Sequence, residues 1–164
     1  MKTVERHKYN GNEIVKTRRL VFEPYRFSSL NMCLVGGLIQ RNLTPDLLKR
    51  KKLKYRDEAN KYYGHWYHAS QALYYLMDTD LLVPMSGEDY RGERHWWLQY
   101  HNRIYDYTAE QYYILSKMPP YHNGQKSKWY GWKQRPQQIT LDLMVKVLED
   151  KLIEDSLQTV SKLA

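Results

Sequence analysis

The chain has 164 residues, enough for one domain with one core. Its single cysteine, Cys33, excludes an internal disulfide and any cysteine-held metal cluster. The net charge of +8 is one-sided: residues 1–61 hold 15 Lys and Arg against 6 Asp and Glu, and residues 62–164 hold 11 against 12, which points to an acidic partner for the first third.

Met1 to Lys16 is polar and charged and does not read as a signal peptide, and no apolar run reaches the roughly 20 residues of a membrane span. The expectation is a cytoplasmic protein with no membrane contact, no metal and no cofactor. The aromatic residues are mostly Tyr (16) and Trp (5), with 2 Phe. Tyr and Trp carry a polar tip and suit half-buried walls and binding surfaces.

Residues 1–13 are polar, with Asn10-Gly11-Asn12 as a turn signal. Ile14-Val15 and Leu20-Val21-Phe22 flank a basic stretch and read as a strand or an extended arm, ended by Pro24. Leu30, Leu34, Leu38 and Ile39 predict a helix from Ser28 or Ser29 to about Gln40, although Gly36-Gly37 weakens its last turn. Cys33 lies in the apolar run Leu30 to Val35 and reads as a buried, inert thiol.

Thr44-Pro45-Asp46 reads as a helix cap, first position and first turn, with a short helix following to about Leu53. That helix runs into Lys49, Arg50, Lys51, Lys52, Lys54 and Arg56, six positive charges with Tyr55 among them. The cluster is a candidate dock for nucleic acid or for an acidic protein surface.

The stretch from Gly64 to Tyr113 organises the rest. Ala69, Ala72, Leu73 and Leu76 give a helical stripe over 65–77. Leu81 to Met85 reads as a strand, and Ser86 to Arg94 as a loop. Trp96 and Leu98 alternate with Trp97 and Gln99 along a second strand. His101-Asn102-Arg103 turns the chain, and Ile104 to Tyr107 returns it, for a hairpin over 95–107. An antiparallel pair can set His95 beside Asp106. A helix start, a strand histidine and an acid on the next strand are the scaffold of a thiol-hydrolase site. The helix start, Gly64-His65-Trp66-Tyr67-His68, holds no cysteine.

Residues 116–138 read as irregular. Thr140 reads as the cap of a last, amphipathic helix over about 140–157, with Leu141, Met144, Val145, Leu148 and Leu152 as its stripe. Its other face is acidic, and its final residues are expected to fray.

GHWYHASQALYYLM, then RHWWLQYHNRIYDYTAEQYY, then Pro119-Pro120-Tyr121 together resemble a group of small bacterial and phage proteins. Their pattern is Gly-His-Cys before a small-residue helix, a His-Trp strand, then Asp-x-Thr-Ala-x-Gln-Phe. That group, like the YunG-like proteins, is similar to compact papain-like cysteine hydrolases. The resemblance covers about residues 40–145. It implies a papain-like α+β fold, with helices packed on one side of a small antiparallel sheet. It places the residual site on His95, Asp106 and Gln111.

The family's cysteine falls on Trp66. Tryptophan has neither a nucleophile nor acid–base chemistry, so thiol catalysis from that position is excluded. The expected function is therefore that of a non-catalytic, phage-encoded papain-like protein that binds a protein assembly or nucleic acid. Two alternatives stand beside it. One is a hydrolase with relocated chemistry on His65 or His68 with His95 and Asp106, cleaving a phosphodiester or an amide. The other is a structural or assembly component.

Overall fold

The structure, a computed structural model, describes residues 1–48 and 60–163. It is a mixed α+β arrangement with four helices and small sheets among the described residues. An antiparallel ribbon comes first: β1 (Lys2–Asn10) and β2 (Glu13–Phe22), joined through Gly11 at φ 62. The expected arm is thus one half of a hairpin. β1 escapes a reading of the sequence because Val4 is its only buried residue, so it carries no alternation.

The short β3 (Tyr25–Arg26) pairs in parallel with β4 (Met77–Asp78). Helix α1 (Ser29–Arg41) starts where expected: the Ser28 hydroxyl accepts the Asn31 N–H at 3.0 Å. It buries Met32, Val35, Gly36, Leu38 and Ile39. Cys33 lies on the opposite face and is exposed, which corrects the expectation of a buried thiol. An apolar run without a period does not say which face turns inward.

Pro45–Leu47 forms a single 3₁₀ turn. Thr44 makes no side-chain bond to its backbone, and its hydroxyl goes to Asp46. Helix α2 (Trp66–Leu76) packs against α1 and against the last helix, α4 (Gln138–Leu163). It buries Ala69, Ala72, Leu73 and Leu76 in the core.

The main sheet is antiparallel throughout, in the order β7-β6-β5-β8, with β5 Val83–Glu88, β6 Arg94–Tyr100, β7 Arg103–Tyr105 and β8 Gln125–Lys126. β5 starts and ends later than Leu81 to Met85, because Ser86 to Glu88 still pair with Arg94 to Trp96. The hairpin turns on His101, at φ 50, and its return strand is shorter than expected.

The sheet is covered on both faces rather than one. α2 lies on one side, and α3 (Glu110–Tyr113) with the segment around Tyr121 on the other.

α4 is longer than the expected 140–157 and begins at Gln138, so Thr140 is not its cap. The Thr140 hydroxyl instead donates to Gln71 Oε1 at 2.6 Å, tying α4 to α2. The buried face of α4 is Leu141, Leu143, Met144 and Val147, while Leu152 is exposed. The shift follows from α4 meeting α1 and α2 together, which covers a wider arc than a single neighbour would. Among the described residues no helix is long and apolar enough to cross a membrane.

Candidate functional site

β6 runs between β5 and β7, and four consecutive residues on it, His95 to Leu98, are buried. Side chains alternate along a strand. Trp96 and Leu98 join the core on the α2 side, where Trp96 packs 5.1 Å from Tyr67 and 5.3 Å from Trp129, ring centre to ring centre. His95 and Trp97 take the opposite face. There the His95 ring meets Tyr112 edge-on at 4.9 Å, and Trp97 meets Tyr121 at 5.1 Å.

Register brings the acid to the histidine. Leu98 pairs with Tyr105, and carrying that pairing one residue further sets Asp106 beside Trp97. From there Asp106 Oδ2 accepts from His95 Nε2 at 2.6 Å. The same oxygen accepts the Tyr121 hydroxyl at 2.8 Å, and Oδ1 accepts the Thr108 N–H and hydroxyl, each at 3.1 Å. Burial pushes the Asp106 carboxyl up, but the adjacent His95 and the Tyr121 and Thr108 donors outweigh it and hold it below the usual carboxylate range. Tyr121 is pushed the other way, first by burial and then by the Asp106 charge.

Gln111, expected at the residual site, is buried but faces the turn instead. Its amide nitrogen donates to the Thr108 carbonyl at 3.0 Å, so it braces the residue that braces Asp106. Asp106-Tyr107-Thr108 is an Asx turn, in which the Asp side chain accepts from the backbone two residues on, and the spacing of Asp and Thr was its signal. Tyr121 comes from the irregular stretch, where its place after Pro119-Pro120 was its one mark and gave it no role.

Its approach depends on two glycines. A Cβ on Gly87 would stand 2.4 Å from Asn123 Oδ1 and 2.8 Å from the Pro120 carbonyl, and one on Gly124 would stand 2.4 Å from Trp97 Cζ2. Both positions let the 120–124 segment lie directly on the sheet.

A second buried carboxylate adjoins the first through Tyr112. Asp89 Oδ2 accepts the Tyr112 hydroxyl at 2.9 Å and the Arg91 Nη2 at 2.8 Å, while Oδ1 accepts the Arg91 and Glu93 N–H groups. Burial raises the Asp89 carboxyl and these donors more than offset it, leaving it lowered. The Arg91 guanidinium lies 4.7 Å from the centre of the Tyr63 ring and 5.6 Å from that of Tyr112.

At the helix start, the half-buried Trp66 ring sits 5.8 Å from Tyr63 and 6.3 Å from His95. His65 is fully buried and its carbonyl accepts the Ala69 N–H. His68 turns toward α4: its Nδ1 is 3.3 Å from Thr140 Oγ1, whose own proton goes to Gln71, so His68 donates. Among the described residues no group of three His, Cys, Asp or Glu is placed to hold a metal ion.

A cleft of about 470 Å³ is walled by Trp66, Tyr67, His68, Arg94, Trp96 and Tyr130, whereas His95 has no exposed surface. As placed, the His95–Asp106 pair braces the hairpin and is closed to solvent. The basic cluster Lys49, Arg50, Lys51, Lys52, Lys54 and Arg56 lies outside the described residues. No family model, curated protein or solved structure matches this chain.

Proposed function

We propose that the chain is a papain-like scaffold, of phage type, that has lost its nucleophile and works by binding. The observation that carries this reading is the placement of the Trp66 ring. Trp66 occupies the first turn of α2 and its ring is 6.3 Å from His95, which is itself bonded to Asp106 at 2.6 Å. A histidine oriented by an acid beside a helix start is the arrangement a thiol hydrolase uses, and here an indole stands where the sulfur would be. The surface for the partner is the basic first third, and the partner is a protein assembly or nucleic acid.

Two comparisons test the reading. A broad peptidase and amidase screen of the native protein should show no turnover, while Trp66→Cys should give a thiol that alkylates faster than Cys33 and slows when His95→Ala is added. Turnover by the native protein that His95→Ala abolishes would overturn the non-catalytic part. For the partner, replacing Lys49, Arg50, Lys51, Lys52, Lys54 and Arg56 together by Gln should weaken duplex binding and flatten its dependence on salt. Unchanged duplex binding assigns the cluster to a protein surface or to solvent.

A further inference from the structure

The cleft beside Trp66 carries a ring, a cation and an amide, each steadied by a neighbour. Trp129 is buried and stacks on Trp96 at 5.3 Å, which anchors its loop and brings the next residue to the rim. That residue, Tyr130, stacks on Tyr67 with ring planes 8° apart, and its N–H donates to the Tyr67 hydroxyl at 2.7 Å. Tyr130 nonetheless stays 52 % exposed and lines the cleft. It is a fixed aromatic surface outside the core.

The cation is the exposed Arg94. Its Nη1 donates to the Oγ of the buried Ser86 at 3.2 Å, so the guanidinium is held at one corner. Among the described residues no carboxylate pairs with it. Glu93, the carboxylate on the same wall, accepts the Tyr63 hydroxyl at 3.0 and 2.9 Å. Arg94 keeps its other N–H donors, in a planar fork that matches an oxyanion. The amide is Gln137. Its backbone N–H donates to Gln71 Oε1 at 3.2 Å, and its side chain has no hydrogen-bond partner among the described residues. It offers a donor and an acceptor together.

A nucleotide uses all three groups: its base stacks on a ring and is read at its edge, and its phosphate takes a cation. A neutral sugar would stack on the ring and leave Arg94 without a counter-charge. The cleft, at about 470 Å³, is within the roughly 300–1,000 Å³ of small-molecule sites. Leu48 lines the same cleft, and the six positive charges from Lys49 to Arg56 follow it directly in the sequence. That is more charge than one phosphate takes up, which favours a strand over a free nucleotide.

We propose that this cleft takes one unpaired nucleotide of a nucleic-acid strand, with its base on Tyr130 and Gln137 and a phosphate on Arg94. This rests on the nucleic-acid side of the function proposed above and is independent of whether His95 is catalytic.

The test is the fluorescence anisotropy of a short, end-labelled single-stranded oligonucleotide, titrated with the full chain from low to high salt. Tyr130→Ala should weaken binding about tenfold, and Tyr130→Phe should keep it, since the ring and not the hydroxyl makes the contact. Arg94→Gln should reduce the slope of log affinity against log salt by about 0.7, the share of one phosphate on a single strand. Gln137→Ala removes no side-chain hydrogen bond of the described fold and should change the ranking of the four homo-oligonucleotides. A duplex tells the cleft from the cluster: Tyr130→Ala should leave duplex binding as it was, whereas the sixfold Gln variant of the cluster weakens it. No binding of the single strand at low salt, or binding that Tyr130→Ala and Arg94→Gln both leave unchanged, would overturn the site. Equal affinity for adenosine monophosphate alone would overturn the strand as its ligand. Tryptophan quenching by chitohexaose that Tyr130→Ala abolishes would assign the cleft to a glycan and overturn the proposal.

Discussion

His95 and Tyr121 meet at one atom, the Oδ2 of Asp106, from which they stand 2.6 and 2.8 Å. One is the second residue of β6 and the other opens a 3₁₀ turn beyond α3, so this oxygen ties that turn to the sheet. Removing the charge while keeping the shape tests how much rests on it. Asp106→Asn leaves buried donors facing an amide, and the loss of one partner in a buried charged pair costs about 3–5 kcal/mol. Tyr121→Phe removes one bond to a charged group and should cost about 1.5–3 kcal/mol. Urea midpoints at constant slope measure both.

The same carboxyl fixes the direction of the acid response. Asp106 is held lower in the folded chain than in the unfolded one, so the unfolded chain binds its proton first as pH falls. Its contribution is fully present above the unfolded value, near 4 for Asp, and is lost as pH drops through the lower folded value. Asp89 acts in the same sense. Unfolding free energy measured against pH should fall on the acid side in the native protein. In Asp106→Asn that limb should be shallower.

At the alkaline end the tyrosines act in reverse. Burial pushes Tyr25, Tyr67 and Tyr107 up to about 12. Stability from keeping them neutral is complete below their unfolded value, near 10, and is lost as pH rises through about 12. Ultraviolet titration should therefore show a group of tyrosines ionising late, and denaturant should return them to the ordinary range.

The glycine pair of α1 gives two substitutions of opposite sign. A Cβ on Gly36 would lie 2.2 Å from the Tyr107 ring, while one on Gly37 meets nothing within 4 Å. Gly36→Ala should destabilise by about 1–3 kcal/mol through overpacking. Gly37→Ala should stabilise by about 0.4–1 kcal/mol, since it only narrows the unfolded ensemble. Thermal midpoints of the two variants against the parent decide this.

Cys33 should react with a disulfide reagent in the native protein, without denaturant and to one thiol per chain, because it lies on the outer face of α1. Labelling that waits for unfolding would contradict that placement.

The His95–Asp106 contact was legible because an antiparallel hairpin has only a few registers, and the turn at His101 selects one. α1 was legible from its Ser28 cap, although Leu30 and Leu34 of its expected stripe are exposed, and α2 was legible from its stripe. Tyr121, Tyr112 and Asp89 were not, since each reaches the site by tertiary approach from a loop or a four-residue helix whose sequence has no period. β1 and the outer face of α1 share one cause. In a ribbon exposed on most of its surface, and in an apolar run without interruption, hydrophobicity does not mark a side. The inner arc of α4 was misjudged because a stripe read against one neighbour widens when two helices flank it.

The two kinds of strand pairing leave different margins. The four-stranded sheet ends on β7 and β8, three and two residues long. Strands of that length offer almost no template to an incoming chain. Among the described residues no further strand pairs with the β1–β2 ribbon, whose strands of nine and ten residues are interrupted once by the irregularity between Arg6 and His7. Any extended segment that adds to this protein by backbone pairing, whether a partner's strand or a misassembled copy, has the ribbon as its place to start, and the bulge sets how far along the edge it can run.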